Sequence, residues 1–397
     1  MPPAASRRRV LTALMIAQVM AGLAHGVTYS MGALLSADMA GDAWGGAAST
    51  VTTVGAALWA MPLAAIVNRY GRRTSLSTGL ALGSVGALSA LFAAQSGLYP
   101  FLLIGFFFLG AAVAMNLQAR FAAADAADER HKGRDISLVV WSTTIGAILG
   151  PNLFDPTERL GDALGLASFS GAYLVCIAAQ WVAILVLQVM LRPEPAPVAA
   201  KGKQPKAKLR EHPVVASAII TNAFSHFAMI AIMSMTAVHM HGHGASMTLI
   251  GLTVSFHVGG MYGLAPVFGW LADKWGARPT MLLGLGGTFI AAALLIPWSG
   301  NETIVVVSLL LLGLGWSSTL VGSSAVVAAA APPEQKAGLQ GRSDLTMNLT
   351  GALGGVIAGP VVSMFGMPVM AVLVIVLMVA VLAGTSALRR RAGHPAR

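Results

Sequence analysis

Apolar stretches of about 20 residues recur from one end of the chain to the other, with short polar breaks between them. Twelve are long enough to cross a bilayer as helices, at about 10–35, 48–67, 76–94, 99–119, 135–155, 167–191, 213–238, 247–271, 279–298, 303–330, 344–365 and 367–388. The pattern predicts an all-α integral membrane protein. An even number of crossings puts both termini on one side. One longer polar stretch, 192–212, carries Lys201, Lys203, Lys206 and Lys208 among Pro and Ala and reads as a flexible linker. It splits the spans six and six, giving an N-terminal bundle at 1–191 and a C-terminal bundle at 213–397.

Composition agrees with this. Of 397 residues, 56% are hydrophobic and 10% charged, a balance that suits a chain with lipid as its main neighbour. The formal charge of +10 would suit nucleic acid, but its distribution argues against that partner. When loops are assigned alternately to two sides, the basic residues collect with the termini, from Arg7–Arg9 and Arg69, Arg72 and Arg73 to Arg389–Arg397. The other side carries Arg159 beside Asp38, Asp42, Asp155, Glu158, Asp162 and Glu302. This asymmetry marks the termini as cytoplasmic. The apolar run after Arg7–Arg9 is too long for a signal peptide and reads as an uncleaved first helix. Cys176 is the only cysteine, which excludes an intramolecular disulfide, and it reads as a small core residue. No phosphate-cradling loop or catalytic triad is visible, so neither an ATP-driven pump nor a hydrolase is expected. The chain reads as a non-enzyme without a cofactor.

The halves repeat one another. Asn68-Arg69-Tyr70-Gly71-Arg72-Arg73 follows the second span, and Asp273-Lys274-Trp275-Gly276-Ala277-Arg278 follows the eighth, 205 residues later. At the same offset Glu129 and Gly133 match Glu334 and Gly338. The stretch from Gly269 to Arg278 resembles the loop signature of the major facilitator superfamily, with a degraded first copy in which Asn68 replaces the usual acidic residue. The resemblance implies two six-helix bundles rocking about a midplane site, in the parallel-repeat arrangement. Asp273, Lys274, Gly276 and Arg278 would then form a structural gating loop on the cytoplasmic side.

Of fifteen acidic residues none lies near the middle of a span; Asp135 and Asp344 sit at cytoplasmic ends. The usual intramembrane proton carrier is therefore missing. Mid-membrane polarity falls to His25, His226 and His257, with Gln18, Gln180 and Asn222. Two motifs stand out on consecutive spans, Met229-x-x-x-Met233 and His257-x-x-x-Met261. A spacing of four puts each pair on one helical face. Met229 lies roughly 24 Å into the seventh span and His257 roughly 15 Å into the eighth from the opposite side, a matched depth. Three thioethers and an imidazole are soft donors of the kind that select Cu(I). Chance weakens the motifs: with 20 Met in the chain, about one Met-x-x-x-Met is expected. Met as a gap-filler and His bonded to a backbone carbonyl are the competing explanations.

The paired motifs resemble those of the CcoA-type copper importers within the same superfamily. That resemblance implies Met229, Met233, His257 and Met261 as ligands, and copper as transported substrate. It also implies import across the bacterial inner membrane, with a copper chaperone or cytochrome oxidase assembly factors as receiving partners. A histidine ligand must be neutral, so uptake is expected to fall as external pH drops. His226, three residues before Met229, would extend the site. His239, Met240, His241, His243 and Met247, at the outer end of the seventh span, would capture the metal, or else form a polar loop that caps two helices. The rival reading is a proton-coupled exporter of small organic molecules or drugs, suggested by Gly146-x-x-x-Gly150-Pro151 in the fifth span. That motif resembles one of drug antiporters, except that Phe154 replaces its final glycine. A non-transporting copper chaperone or sensor in the membrane is a further rival.

Overall fold

The structure is a computed structural model that describes residues 4–41, 44, 47–191 and 209–392, so the lysines of the linker, at 201–208, lie outside the described residues. Twelve α-helices follow in order. They are α1 (Ala4–Ala40), α2 (Ala47–Ser96), α3 (Tyr99–Ala126), α4 (Lys132–Asn152), α5 (Phe154–Ala163), α6 (Gly171–Met190), α7 (Pro213–Gly242), α8 (Met247–Tyr262), α9 (Ala265–Lys274), α10 (Ala277–Trp298), α11 (Glu302–Ala330) and α12 (Lys336–Ala392).

Among the described residues, nine helical stretches are long and apolar enough to cross a membrane. Two of them carry two crossings each. The 50 residues of α2 would extend about 75 Å as one straight rod, against a hydrocarbon core of about 30 Å. The rod turns back instead at Gly71 (φ 86°, ψ 174°), and α12 does the same at Gly366 (φ 82°, ψ 169°). A side chain at such dihedrals would clash with its own backbone. The 21-residue α4 supplies the remaining crossing, which completes twelve.

Two details differ from the hydropathy reading. The eighth span is not one helix, because α8 ends at Tyr262 and α9 restarts at Ala265 with Pro266 in its first turn. Proline has no N–H to give the preceding turn and disfavours helical backbone in the residue before it. In addition, the polar segment between the fifth and sixth spans folds into α5, too short to cross.

The chain forms two compact units. The first holds residues 1–127, 142–205 and 340–345, with α2 packed on α3 and α1 on α6. Leu102, Phe106, Tyr173 and Cys176 share one of its buried clusters. Helices here approach by backbone contact: Gly146 and Gly150 of α4 lie against Gly22 and Gly26 of α1, leaving no room for a methyl group. Such small-residue contacts hold helices together in lipid, where hydrophobicity offers no preference for protein over solvent.

The second unit holds residues 128–141, 206–339 and 346–397. Its centre is α11, against which α7, α8, α9 and α10 all pack. That position explains the buried run from Trp316 to Ala325 on all faces of the helix. Close approach to α7 comes from Gly351 and Gly354 of α12. Gly355 and Gly359 of the same helix, also four apart, contribute less, since nothing crowds Gly359.

Candidate functional site

The candidate site is built in the second unit on the helices around α11. Pro213 occupies the first turn of α7, where its missing N–H costs nothing. Ser246 caps α8 by accepting from the Leu249 N–H at 3.2 Å. These two starts fix the register that carries Met229 and His257 into the interior. Met229 is 2% exposed, Met261 9% and His257 0%, while Met233 is half-buried.

His257 Nδ1 lies 2.8 Å from the Leu309 carbonyl oxygen of α11. A carbonyl only accepts, so the ring proton sits on Nδ1 and Nε2 of the neutral ring presents a lone pair. That Nε2 is buried without a protein hydrogen-bond partner. Buried lone pairs are costly in lipid, where no bulk water competes for them. Gly313, one turn beyond Leu309, lets α11 close on the backbone of His257 and Met261.

His226 has the opposite tautomer. The Trp316 indole N–H donates to its Nδ1 at 2.9 Å. Trp316 also meets the Tyr262 ring edge to face, with centroids 5.9 Å apart at 84°. One side chain of α11 thus links α7 to the last residue of α8. Leu309 and Trp316 are two turns apart, so His257 and His226 are held about 10 Å apart along α11. Other polar atoms gather nearby in sequence. Ser225 Oγ, Asn222 Oδ1 and Ser308 Oγ are buried without protein partners, and Asn222 Nδ2 rests 3.2 Å from Met347 Sδ. The sequence reading did not anticipate Trp316, Tyr262 or Met347. Their partners are far away in the chain, and no spacing rule reaches across it.

The histidine-rich end of α7 is ordered by its own contacts. His239 Nε2 donates to Ser299 O at 2.8 Å, and His243 Nδ1 donates to His239 O at 2.8 Å. The two rings lie with centroids 4.2 Å apart. Met240 is buried, His241 is exposed, and the side chain of Met247 lies outside those described.

Asp273 accepts from the backbone N–H of Gly133 at 2.7 Å and of Arg134 at 2.9 Å. Those are first-turn donors of α4, which no helical carbonyl satisfies and which carry the positive end of the helix dipole. Lys274 lays its ammonium 4.5 Å from the centre of the Trp270 ring, Arg278 is exposed, and Gly276 (φ 101°) opens α10. In the first unit Arg120 and Asp344 form an ion pair at 2.5 Å, 1% and 0% exposed. Arg72 pairs with Asp125 at 2.7 Å and also bonds Gln340.

Comparison with known proteins fits this architecture. The description of the Major Facilitator Superfamily matches residues 14–239 and again 215–397. The chain is 35% identical over 373 residues to the uncharacterized MFS-type transporter YdeG of Bacillus subtilis (strain 168), covering 90% of this chain and 86% of that one. It is 26% identical over 362 residues to the riboflavin transporter RfnT of Brucella anthropi, covering 90% of each. Among solved structures, the proton:xylose symporter XylE superposes with a TM-score of 0.74 at 15% identity, covering 94% of this chain and 96% of that one. A bacterial homologue of the iron transporter ferroportin, soaked with iron, gives 0.75 at 11%, covering 98% and 99%. At such identities these structures share the fold alone.

Proposed function

We propose, from the premise that the chain belongs to the major facilitator superfamily, that this secondary transporter imports copper as Cu(I) across a bacterial inner membrane. The observation that carries the proposal is His257 Nε2, a buried lone pair with no protein partner, one helical turn from the Met261 thioether. The Leu309 carbonyl on its Nδ1 is the outer-shell contact typical of a metal-bound histidine, since it fixes the tautomer and turns the other nitrogen toward a cation. Met229 and Met233 on α7 supply further thioethers from a helix packed against the same α11. These donors are neutral and soft, a set that favours Cu(I) over Mg²⁺ or Ca²⁺. Copper chaperones or cytochrome oxidase assembly factors are the proposed recipients, following the resemblance of the paired motifs.

The test is copper-64 uptake by cells making the wild type, Met233→Leu or His257→Leu at matched expression. Leucine keeps the methionine volume roughly constant, so a packing residue tolerates it at under about 1.5 kcal/mol. Uptake lost in well-folded variants supports the proposal, and unchanged uptake in both rejects it.

A second reading has its own support. The riboflavin transporter is 26% identical across most of both chains, and buried His226 and Trp316 with half-buried Tyr262 form an aromatic group beside the same helices. A flat organic substrate stacking on Trp316 would suit that group. Accumulation of radiolabelled riboflavin that Trp316→Leu abolishes and His257→Leu spares would favour this reading over copper.

A further inference from the structure

We infer that His239 and His243 form a metal-capture site at the end of α7 that the charge asymmetry places outside. The site would take a borderline transition-metal cation of the Cu(II), Ni(II) or Zn(II) class. It does not rest on the reading of the interior motifs.

The first ground is placement. A separation of four residues puts both rings on one face of α7, and their centroids are 4.2 Å apart. Two nitrogens bound to one ion at about 2.0–2.1 Å stand no more than about 4 Å from each other. The ring centroids stand close to that span. His241, two residues from each, falls on a different face of the helix and does not join them.

The second ground is orientation. Ser299 O and His239 O can only accept, so His239 Nε2 and His243 Nδ1 each carry a proton. In a neutral ring the nitrogens left over, His239 Nδ1 and His243 Nε2, present their lone pairs to a cation. A carbonyl behind each ring is also the usual outer-shell support of a histidine ligand, holding its orientation and raising its basicity. The Ser299 contact comes from the turn joining α10 to α11, so the pair is braced by a second element and not only by its own helix.

The third ground is field. The 30 residues of α7 end at Gly242, and its last carbonyls present the negative end of the helix dipole. A cation is favoured there. Among the described residues, no group of three histidine, cysteine or acidic side chains is arranged to hold a metal. With two imidazoles and no carboxylate, the site would select against hard cations such as Mg²⁺ and complete its coordination with water. Open coordination suits capture and release, whereas structural metal sites are closed by four protein ligands.

Helix capping alone is the competing account, and the test must separate the two. Full-length protein with any affinity tag removed would be placed in lipid nanodiscs and titrated with Cu(II). Binding would be followed by electron paramagnetic resonance, and unfolding temperature would be recorded in parallel. The expected result is one tight Cu(II) per chain with coupling to two nitrogens. His239→Gln and His243→Asn, which keep a side-chain donor for the carbonyl, should each weaken it by about tenfold or more, since even outer-shell partners are worth about 10–100-fold. His241→Gln should leave it unchanged. The inference is overturned if the double variant His239→Gln/His243→Asn binds Cu(II) as the wild type does, or if His241→Gln costs as much as either. Loss of the site only in His257→Leu would also overturn it. Copper-64 uptake reports on the interior reading separately: two-nitrogen binding in a protein that moves no copper would reject that reading and leave this site standing.

Discussion

Trp316 donates its indole N–H to His226 Nδ1 at 2.9 Å, and because an indole cannot accept, that nitrogen carries no proton. His226 is therefore a neutral ring pinned between α11 and α12, with Gly351 against its far edge. The contact holds a histidine uncharged in the interior of a chain whose acidic residues avoid the middle of its spans.

Trp316→Phe keeps most of the ring volume and deletes the donor. The buried nitrogen then loses its partner, at an expected cost of about 1–3 kcal/mol. Thermal unfolding of the purified protein in detergent would show this as a lowered midpoint. Gly351→Ala should cost more, because its methyl group meets the His226 ring while Trp316 still holds that ring in place. If Gly351→Ala unfolds like the wild type, His226 has another position available.

The buried pair of Arg120 and Asp344 gives a second prediction. Asp344→Asn should destabilise by about 3–5 kcal/mol, since the guanidinium then keeps its burial and loses its counter-charge. Arg120→Met combined with Asp344→Leu should recover much of that loss, because an apolar pair has no desolvation cost to offset. The unfolding midpoints of the single and double variants test this directly. A double variant whose loss equals the sum of the losses in Arg120→Met and Asp344→Leu alone would mean that the two charges are not coupled.

Asp273 caps α4 through Gly133 and Arg134. Asp273→Ala leaves both donors without that acceptor and should lower stability by about 0.5–2 kcal/mol. Asp273→Asn should lose less, because its amide oxygen still accepts although it no longer complements the dipole. The order wild type, Asn, Ala in unfolding midpoint is the expected outcome.

Copper binding at His257 should weaken as pH falls. Nδ1 already holds its proton against Leu309 O, so an added proton must go to Nε2, the atom proposed to bind the metal. Protonation and metal binding compete there, and affinity is highest where the ring is neutral. Copper-64 binding to the purified protein should decline as pH falls to about 5 and below, and the decline should be absent from what binding remains in His257→Leu. A decline of the same size and midpoint in His257→Leu would remove His257 as its cause.

The helices were legible in the sequence because burial in lipid demands long apolar runs, and the twelve such runs fall on the helices other than α5, two each in α2 and α12 and one across α8 and α9. The break between Tyr262 and Ala265 was harder to see. Pro266 announces it, but the hydropathy of the surrounding residues is continuous. The spacing of Met229 and His257 along their helices can be counted from the sequence, while the packing of α11 on α7 and α8 cannot. Its Leu309 carbonyl and Trp316 indole sit 52 and 90 residues from their histidine partners. In the sequence Asp344 is one more acidic residue near a helix end. Its burial against Arg120, 224 residues away, depends on packing that no local pattern encodes.

Gly71 and Gly276 occupy equivalent places in the two halves and share one backbone conformation, φ 86° and 101° with ψ 174° and 151°. Three residues earlier the copies part, with Asn68 in one and Asp273 in the other. The difference follows the cost of change. That backbone region is essentially closed to L side chains, at about 1–3 kcal/mol each, and no neighbouring substitution relieves it. A helix cap is worth about 1 kcal/mol and can be replaced by water or another donor. After a gene duplicates, drift therefore erodes the side chain that decorates a turn long before it erodes the turn. What the two halves still hold in common measures how hard each position is to give up, and a search for ancient duplication in such chains should weigh glycines above charges.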